Sequence, residues 1–223
     1  MKHRKLFLIL IAAFSLLTIN SCLKETYTYN GPRIEIYGDN PLYINVGDHW
    51  RDFVPKPQAH AYDDLYGIVD FFYRDHVDNE TVGKYTVEYV AIDVAGFETT
   101  KDRIVYVQNE SNFLDGNYNV TNSFEGNTYS FISDVTSSGS TNNRIYFSQF
   151  TNTSEGAVTG DVINKNQIVI PQQTVGKYTY FGQGTISNVD KKVSIVINYT
   201  EIINGKSYQG VSSFQKIDTS TIP

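Results

Sequence analysis

From residue 33 onward, apolar positions alternate with polar ones in short bursts, and Gly, Asn, Asp and Ser separate the bursts. Period two marks a half-buried strand, and that punctuation marks turns. The stretches RIEIY (33–37) and LYINV (42–46) predict two short strands around a GDNP turn. Three more strands are expected between residues 68 and 107. In KYTVEYVAID, Tyr85, Val87 and Tyr89 alternate with Thr86, Glu88 and Val90, so one face should be buried. Short strands at this spacing predict a β-sandwich over residues 32–107.

QNESN (108–112) reads as a short polar hinge, after which the pattern becomes denser in Asn, Ser, Thr, Gly and Gln. Over 113–223, eight strand segments are expected, from GNYNVTNS through NTYSFISDV, NRIYFSQF, AVTGDVI, QIVIPQQ, YTYFGQGTIS and KVSIVINYTEI to KSYQGVSSFQKI. The turns SFEGN, SSGSTNN, NKN, SNVDKK and INGK lie among them, and Asn204-Gly205 is the clearest hairpin signal. Eight consecutive strands joined by tight turns predict an antiparallel eight-stranded barrel or a curved sandwich. The fold class is all-β: an immunoglobulin-like β-sandwich followed by a second antiparallel β-domain. Tyr118, Phe131, Tyr146, Phe147, Phe150, Tyr178, Tyr180, Phe181, Tyr199, Tyr208 and Phe214 are expected to face inward. In FGQGT, a Gly-x-Gly on a strand points to a bulge or a close backbone approach.

Aromatics make up 14% of the 223 residues, with 17 Tyr and 13 Phe, which suits strands. Counting 18 Lys and Arg against 24 acids, the net charge is −6. Without Lys2, Arg4 and Lys5 at the head, 15 cations face those 24 acids, a net of −9. Such a chain repels phosphate backbones, so no nucleic-acid partner is expected.

The head itself is a basic MKHRK followed by the apolar run LFLILIAAFSLLTI (6–19), short of the roughly 20 residues a spanning helix needs. It has the form of a secretory signal over residues 1–21. The single cysteine follows at once, in INSC. These residues resemble the lipobox of Bacteroidetes-type lipoproteins, with Ile19 at −3, Ser21 at −1 and Cys22 at +1. The resemblance implies cleavage between Ser21 and Cys22 and a lipid on the Cys22 sulfur. Several acyl chains would then hold the protein at a membrane. Lys24 and Glu25 resemble a surface-export signal, and residues 22–31 would be the tether. The implied location is the outer membrane, at the cell surface, with the periplasmic face as the other option.

Between 32 and 107, Gly47, Trp50 with Asp52, Ala61 with Asp63, Gly83, Tyr85, Val87, Tyr89, Asp93, Ala95, Gly96, Arg103, Val105 and Val107 form a recurring pattern. It resembles the bacterial immunoglobulin-like domain of Bacteroidetes surface proteins, with Phe97 where that family usually has Asn. The resemblance implies an antiparallel sandwich used as a spacer or binding module. The segment 113–223 resembles the lipocalin-like C-terminal domains of small lipoproteins of that group.

Candidate chemistry is sparse. Trp50 would stack on sugar if exposed, but its place in the pattern argues for a core residue. Asp63, Asp64, Asp70 and Asp93 lack the spacing of a calcium loop and read as turn formers. His49, His60 and His76 lack zinc spacing, so no metal and no cofactor are expected. Nucleophilic catalysis needs a Ser or Cys beside a base, and the second domain has no histidine. The acids Asp115, Glu125, Asp134, Glu155, Asp161, Asp190 and Glu201 do not reveal a glycosidase pair by spacing. The chain is therefore expected to be a non-catalytic, membrane-anchored binding module, with glycan as ligand in polysaccharide uptake. Tyr178, Tyr180 and Tyr199 are the candidate binding residues. The alternative is a structural or adhesive protein that contacts an outer-membrane protein complex.

Overall fold

The computed structural model describes residues 31–190 and 192–217. The first domain holds seven strands: β1 (Arg33–Ile36), β2 (Leu42–Asn45), β3 (Ala59–Asp63), β4 (Gly67–Val69), β5 (Phe71–Asp75), β6 (Gly83–Ile92) and β7 (Glu98–Gln108). They form two facing sheets, β1-β3-β4 and β2-β7-β6-β5. The pattern gave five strands because β3, AHAYD, buries only the small Ala59 and Ala61 and the polar Asp63, and β4 and β5 continue one another across Asp70. The sandwich also departs from the expected all-antiparallel form, since β2 pairs with β7 in parallel, Leu42 opposite Val105. Ile34, Leu42, Ile44, Val87, Tyr89, Val105 and Val107 close the core between the sheets.

Trp50 belongs to that core at 3% exposure. Its Nε1 donates to Asp75 Oδ2 at 3.0 Å, and Arg51 Nη2 donates to the same oxygen at 2.8 Å. Burial pushes the Asp75 carboxyl up, but the hydrogen bonds from Arg51, Trp50 and the Val77 N–H outweigh it and hold the group below its ordinary range. Asp63 and Asp93 act as turn formers. Asp63 Oδ1 accepts from the N–H of Leu65 (2.8 Å) and Tyr66 (2.9 Å), and Asp93 Oδ1 from those of Ala95 (2.8 Å) and Phe97 (2.9 Å). Among the described residues, no three His, Cys, Asp or Glu side chains gather as metal ligands would.

The second domain is a closed barrel of β8 (Gly116–Phe124), β9 (Asn127–Ser137), β10 (Arg144–Phe147), β11 (Val158–Asn164), β12 (Gln167–Val175), β13 (Tyr178–Val189), β14 (Lys192–Ile203) and β15 (Lys206–Lys216). Every strand neighbours its successor, and β15 returns to β8 with Phe214 opposite Val120. Closure leaves no unpaired edge. The eight expected segments correspond to the eight strands. Tyr118, Phe147, Phe150, Tyr180, Tyr199 and Phe214 face inward and are 0–2% exposed. Tyr146 and Phe181 do not: Tyr146 lies between the inward Ile145 and Phe147, and Phe181, 39% exposed, follows the inward Tyr180, and alternate side chains leave opposite faces of a strand.

Gly182 and Gly184 take the inward positions that follow Tyr180 on β13. They lie opposite Tyr199 and Ile197 of β14 in an unbroken register. The Gly-x-Gly is therefore a close approach and not a bulge.

Candidate functional site

The barrel interior brings the three candidate tyrosines together. Tyr178 and Tyr180 stack at 6.1 Å, and Tyr180 meets Tyr199 edge-on at 6.5 Å. They are core, however, and not a ligand platform: Tyr178 is 9%, Tyr180 0% and Tyr199 2% exposed. The connection between β10 and β11 folds over them. It carries Phe150 to the centre, where it packs against Tyr199 (5.2 Å), Phe147 (5.6 Å) and Tyr180 (5.7 Å). Ser154 Oγ accepts from the N–H of Thr151 at 2.7 Å, and Ser212 Oγ donates to Phe150 O at 2.9 Å, which pins the connection in place. Burial raises the hydroxyl pKa of Tyr180 and Tyr199. Asn122 Nδ2 donates to Tyr199 Oη at 2.8 Å and to Ser212 Oγ at 3.0 Å.

At the same end lies Glu201, 1% exposed and opposite Tyr180 in the ladder. Thr153 Oγ1 donates to its Oε2 at 2.8 Å. Burial pushes this carboxyl up, and the hydroxyls of Thr153 and Tyr180 only partly offset that. The folded protein therefore keeps the Glu201 proton over a pH range where the unfolded chain has lost it. The stability Glu201 contributes should fall as pH rises from about 4.3, the ordinary glutamate value, through the folded value, and be gone above it. Urea midpoints measured from pH 4 to 8 should show this decline, and Glu201→Gln should flatten it. The other acids named above for this domain do not join Glu201 in the core. Asp115, Glu125, Asp134, Glu155 and Asp190 are exposed, and Asp161 Oδ1 and Oδ2 accept from Arg144 at 2.8 and 3.1 Å.

Sequence reasoning missed the junction between the domains. The supposed hinge is a buried joint. Asn109 is 1% and Ser111 0% exposed. Asn109 Nδ2 donates to the carbonyls of Ser138 (2.9 Å), Thr141 (2.9 Å) and Arg144 (3.4 Å), and its Oδ1 accepts from the N–H of Ser111 (2.9 Å) and Asn143 (3.0 Å). Val82 N–H, in the β5–β6 connection, also donates to Gly139 O at 2.8 Å. Asn109→Ala would strand several buried donors and acceptors, at about 1–3 kcal/mol for each group left without a partner. The two domains of that variant should unfold separately in calorimetry, at a lower temperature for the barrel. Asn109→Asp, which keeps the acceptor and loses the donor, should show part of the effect.

Beside the joint runs a polar strip. On the outer face of the β2–β7 pair, Tyr43 stacks on Tyr106 at 5.1 Å, with Tyr43 58% exposed. The next outward pair is Asn45 opposite Gln108. These two amides open into a cleft of about 550 Å³ lined also by Glu110, Asn112, Phe113, Lys165, Asn166 and Asn188. The arrangement offers side-chain amides as paired donors and acceptors, with ring surface next to them.

Cys22, Ser21, Lys24 and Glu25 lie outside the described residues. Among the described residues, no helix is long and apolar enough to cross a membrane.

No curated protein matches the chain. Among solved structures it is similar to the lipoprotein BT2262 from Bacteroides thetaiotaomicron, at 16% identity and a TM-score of 0.30 over 82% of this chain and 98% of that one. It is also similar to a structural-genomics protein of unknown function from Bacteroides ovatus, at 8% identity and a TM-score of 0.38 over 86% of this chain and 80% of that one. Residues 34–107 match the family described as bacterial surface protein, Ig-like domain, and the match falls on the seven-stranded sandwich that precedes the barrel.

Proposed function

We propose that the chain is a lipid-anchored surface protein of the outer membrane that binds glycan without catalysis along the strip at its domain junction. The observation that carries the binding reading is the Tyr43–Tyr106 pair continuing into Asn45, Gln108 and the amide-lined cleft. Sugar rings pack their C–H faces on aromatic surface, and their hydroxyls exchange hydrogen bonds with amides, which donate and accept at once. The barrel interior is a poorer home for a ligand, because Phe150 and the tyrosines already fill it.

Chain path supports the anchored reading. Arg33 opens β1 opposite Tyr62, beside the β3–β4 turn, and Gly31 lies against Phe97 in the β6–β7 turn. The chain leaves the sandwich at the other end, where Val107 pairs with Gly83. Entry and exit are thus separated by the length of the 11-residue β7, about 35 Å at roughly 3.3 Å per residue. With the joint locked through Asn109, the sandwich becomes a spacer between tether and barrel. Polysaccharide uptake is the role such a placement serves.

Calorimetric titration against a broad panel of purified polysaccharides tests the ligand. Binding should appear in at least one glycan class, and Tyr43→Ala and Asn45→Ala should each weaken it about tenfold, one lost contact of roughly 1.4 kcal/mol. Flat responses across the panel would sink the glycan reading. For the anchor, Cys22→Ala should abolish palmitate incorporation and release the protein from the membrane fraction. Labelling that survives the change would refute the lipid site.

A further inference from the structure

The end of the sandwich where the chain enters carries an unusual amount of exposed apolar side chain. Val94, in the β6–β7 turn, is 83% exposed, and Leu65, in the β3–β4 turn, is 59% exposed. Ile68 is 78% and Tyr62 44% exposed, and the two are cross-strand partners on the outer face of β3–β4. Ile92, at the top of β6, is 44% exposed. Scattered apolar residues on a surface need no explanation, but a group gathered at one end calls for a partner.

The acids at this end are turned away from solvent or neutralised. Asp63 and Asp93 are 1% and 6% exposed, with their carboxylates on turn N–H groups, and the exposed Asp64 and Glu98 are each paired with an arginine, Arg33 and Arg74. The tip therefore presents Val94 and Leu65 beside paired charges, with little net charge of its own. Gly31 lies nine residues along the chain from Cys22, with eight residues between them. At about 3.3–3.6 Å per residue they span no more than roughly 30 Å. An acyl group on Cys22 would keep the tip within that distance of the bilayer.

We propose that the two turns at the tethered end, led by Val94 and Leu65, dock on the lipid surface in which the acyl anchor sits. This rests on the anchored reading above. A few apolar side chains bind a bilayer weakly by themselves, so the anchor supplies the affinity and the tip sets the orientation. Docked turns would stand the sandwich upright and hold the junction cleft away from the membrane.

The test uses the lipidated full chain in vesicles of phosphatidylethanolamine and phosphatidylglycerol, with or without brominated phospholipid, which quenches tryptophan at acyl depth. The native Trp50 is buried and serves as the unquenched background. Val94→Trp should lose emission to the brominated lipid, and Ile132→Trp, 62% exposed on the barrel, should not. Protein that floats with the vesicles while Val94→Trp stays unquenched would overturn the docked tip and leave the anchor standing. Equal quenching at both positions would also overturn it, because the chain would then lie flat. Failure to float would overturn the anchor and the tip together. A doubly charged variant, Leu65→Asp with Val94→Asp, should still float but lose protection of the tip from protease.

Discussion

Gly184→Val should lower the stability of the barrel sharply. A Cβ at Gly184 would sit 2.3 Å from the carbonyl oxygen of Val196 and 2.8 Å from Ile197 Cγ1. The neighbouring Gly182 is as constrained, with 2.4 Å to Asn198 O and 2.8 Å to Tyr199 Cα. The obstructing atoms are largely backbone, held by the β13–β14 ladder, so no rotamer change relieves them. Relief requires the two strands to part, and the ladder bonds and the seats of Tyr199 and Ile197 would go with them. The expected loss is about 4 kcal/mol or more, beyond the usual range for overpacking because the clash is with main chain. That is a large part of the roughly 5–15 kcal/mol that holds a domain together. Gly139→Ala is the control, since a Cβ there meets nothing within 4 Å. Circular dichroism and urea titration of the two variants should differ sharply. A folded Gly184→Val with an unchanged midpoint would mean that the strands are not packed this closely.

Phe150→Ala should cost about 3–5 kcal/mol, the range for deleting a fully buried phenylalanine. Phe150 has an unusual origin for so central a residue, because it comes from a connection and not from a strand. Its ring touches aromatic rings from four strands: Phe147 on β10, Tyr180 on β13, Tyr199 on β14 and Phe214 on β15. Its main chain is also engaged, through the Ser212 hydroxyl on its carbonyl. Truncation leaves an apolar void at the crossing point and loosens the connection that covers Tyr180 and Glu201. The void should accept a small apolar probe such as benzene, as dry engineered cavities do. Phe150→Leu should fall between the two. Equilibrium urea unfolding gives the energies, and a loss below about 1 kcal/mol for Phe150→Ala would mean that the barrel repacks around the gap.

The two domains differ in how far their sequence revealed them. In the barrel, most strands carry apolar inward residues at alternate positions and most end in a short polar turn, so the local pattern agrees with the pairing. Glu201 lies on the same alternation, since inward residues on β14 run Val193, Ile195, Ile197, Tyr199 and then Glu201, but an acid ends that apolar series and reads as one of the scattered acids. Phe150 stood among the residues expected inside, but its arrival from a connection had no local signal. In the sandwich, β3 was invisible because two alanines make its buried face. The junction was the least legible part. QNESN looks like a solvated linker, and only the carbonyls of residues 138–144, about thirty positions away, reveal that Asn109 is buried. The Tyr43–Asn45 strip was hidden for a similar reason. It exists only because β2 lies in parallel beside β7.

Closure of the barrel through β15 and β8 also sets an order for folding. The sandwich is complete in sequence once residue 108 has been made, and all its pairings lie behind that point. The barrel cannot close until its last strand exists, because Lys216 pairs with Tyr118 nearly a hundred residues earlier. Domains form from the N-terminus as the chain emerges, and non-local strand pairing is slow. Until that final strand arrives, β8 presents an open edge with nothing to pair with. The finished sandwich therefore spends that interval tied to an unfinished barrel, and in that interval the chain is most exposed to pairing with a neighbour.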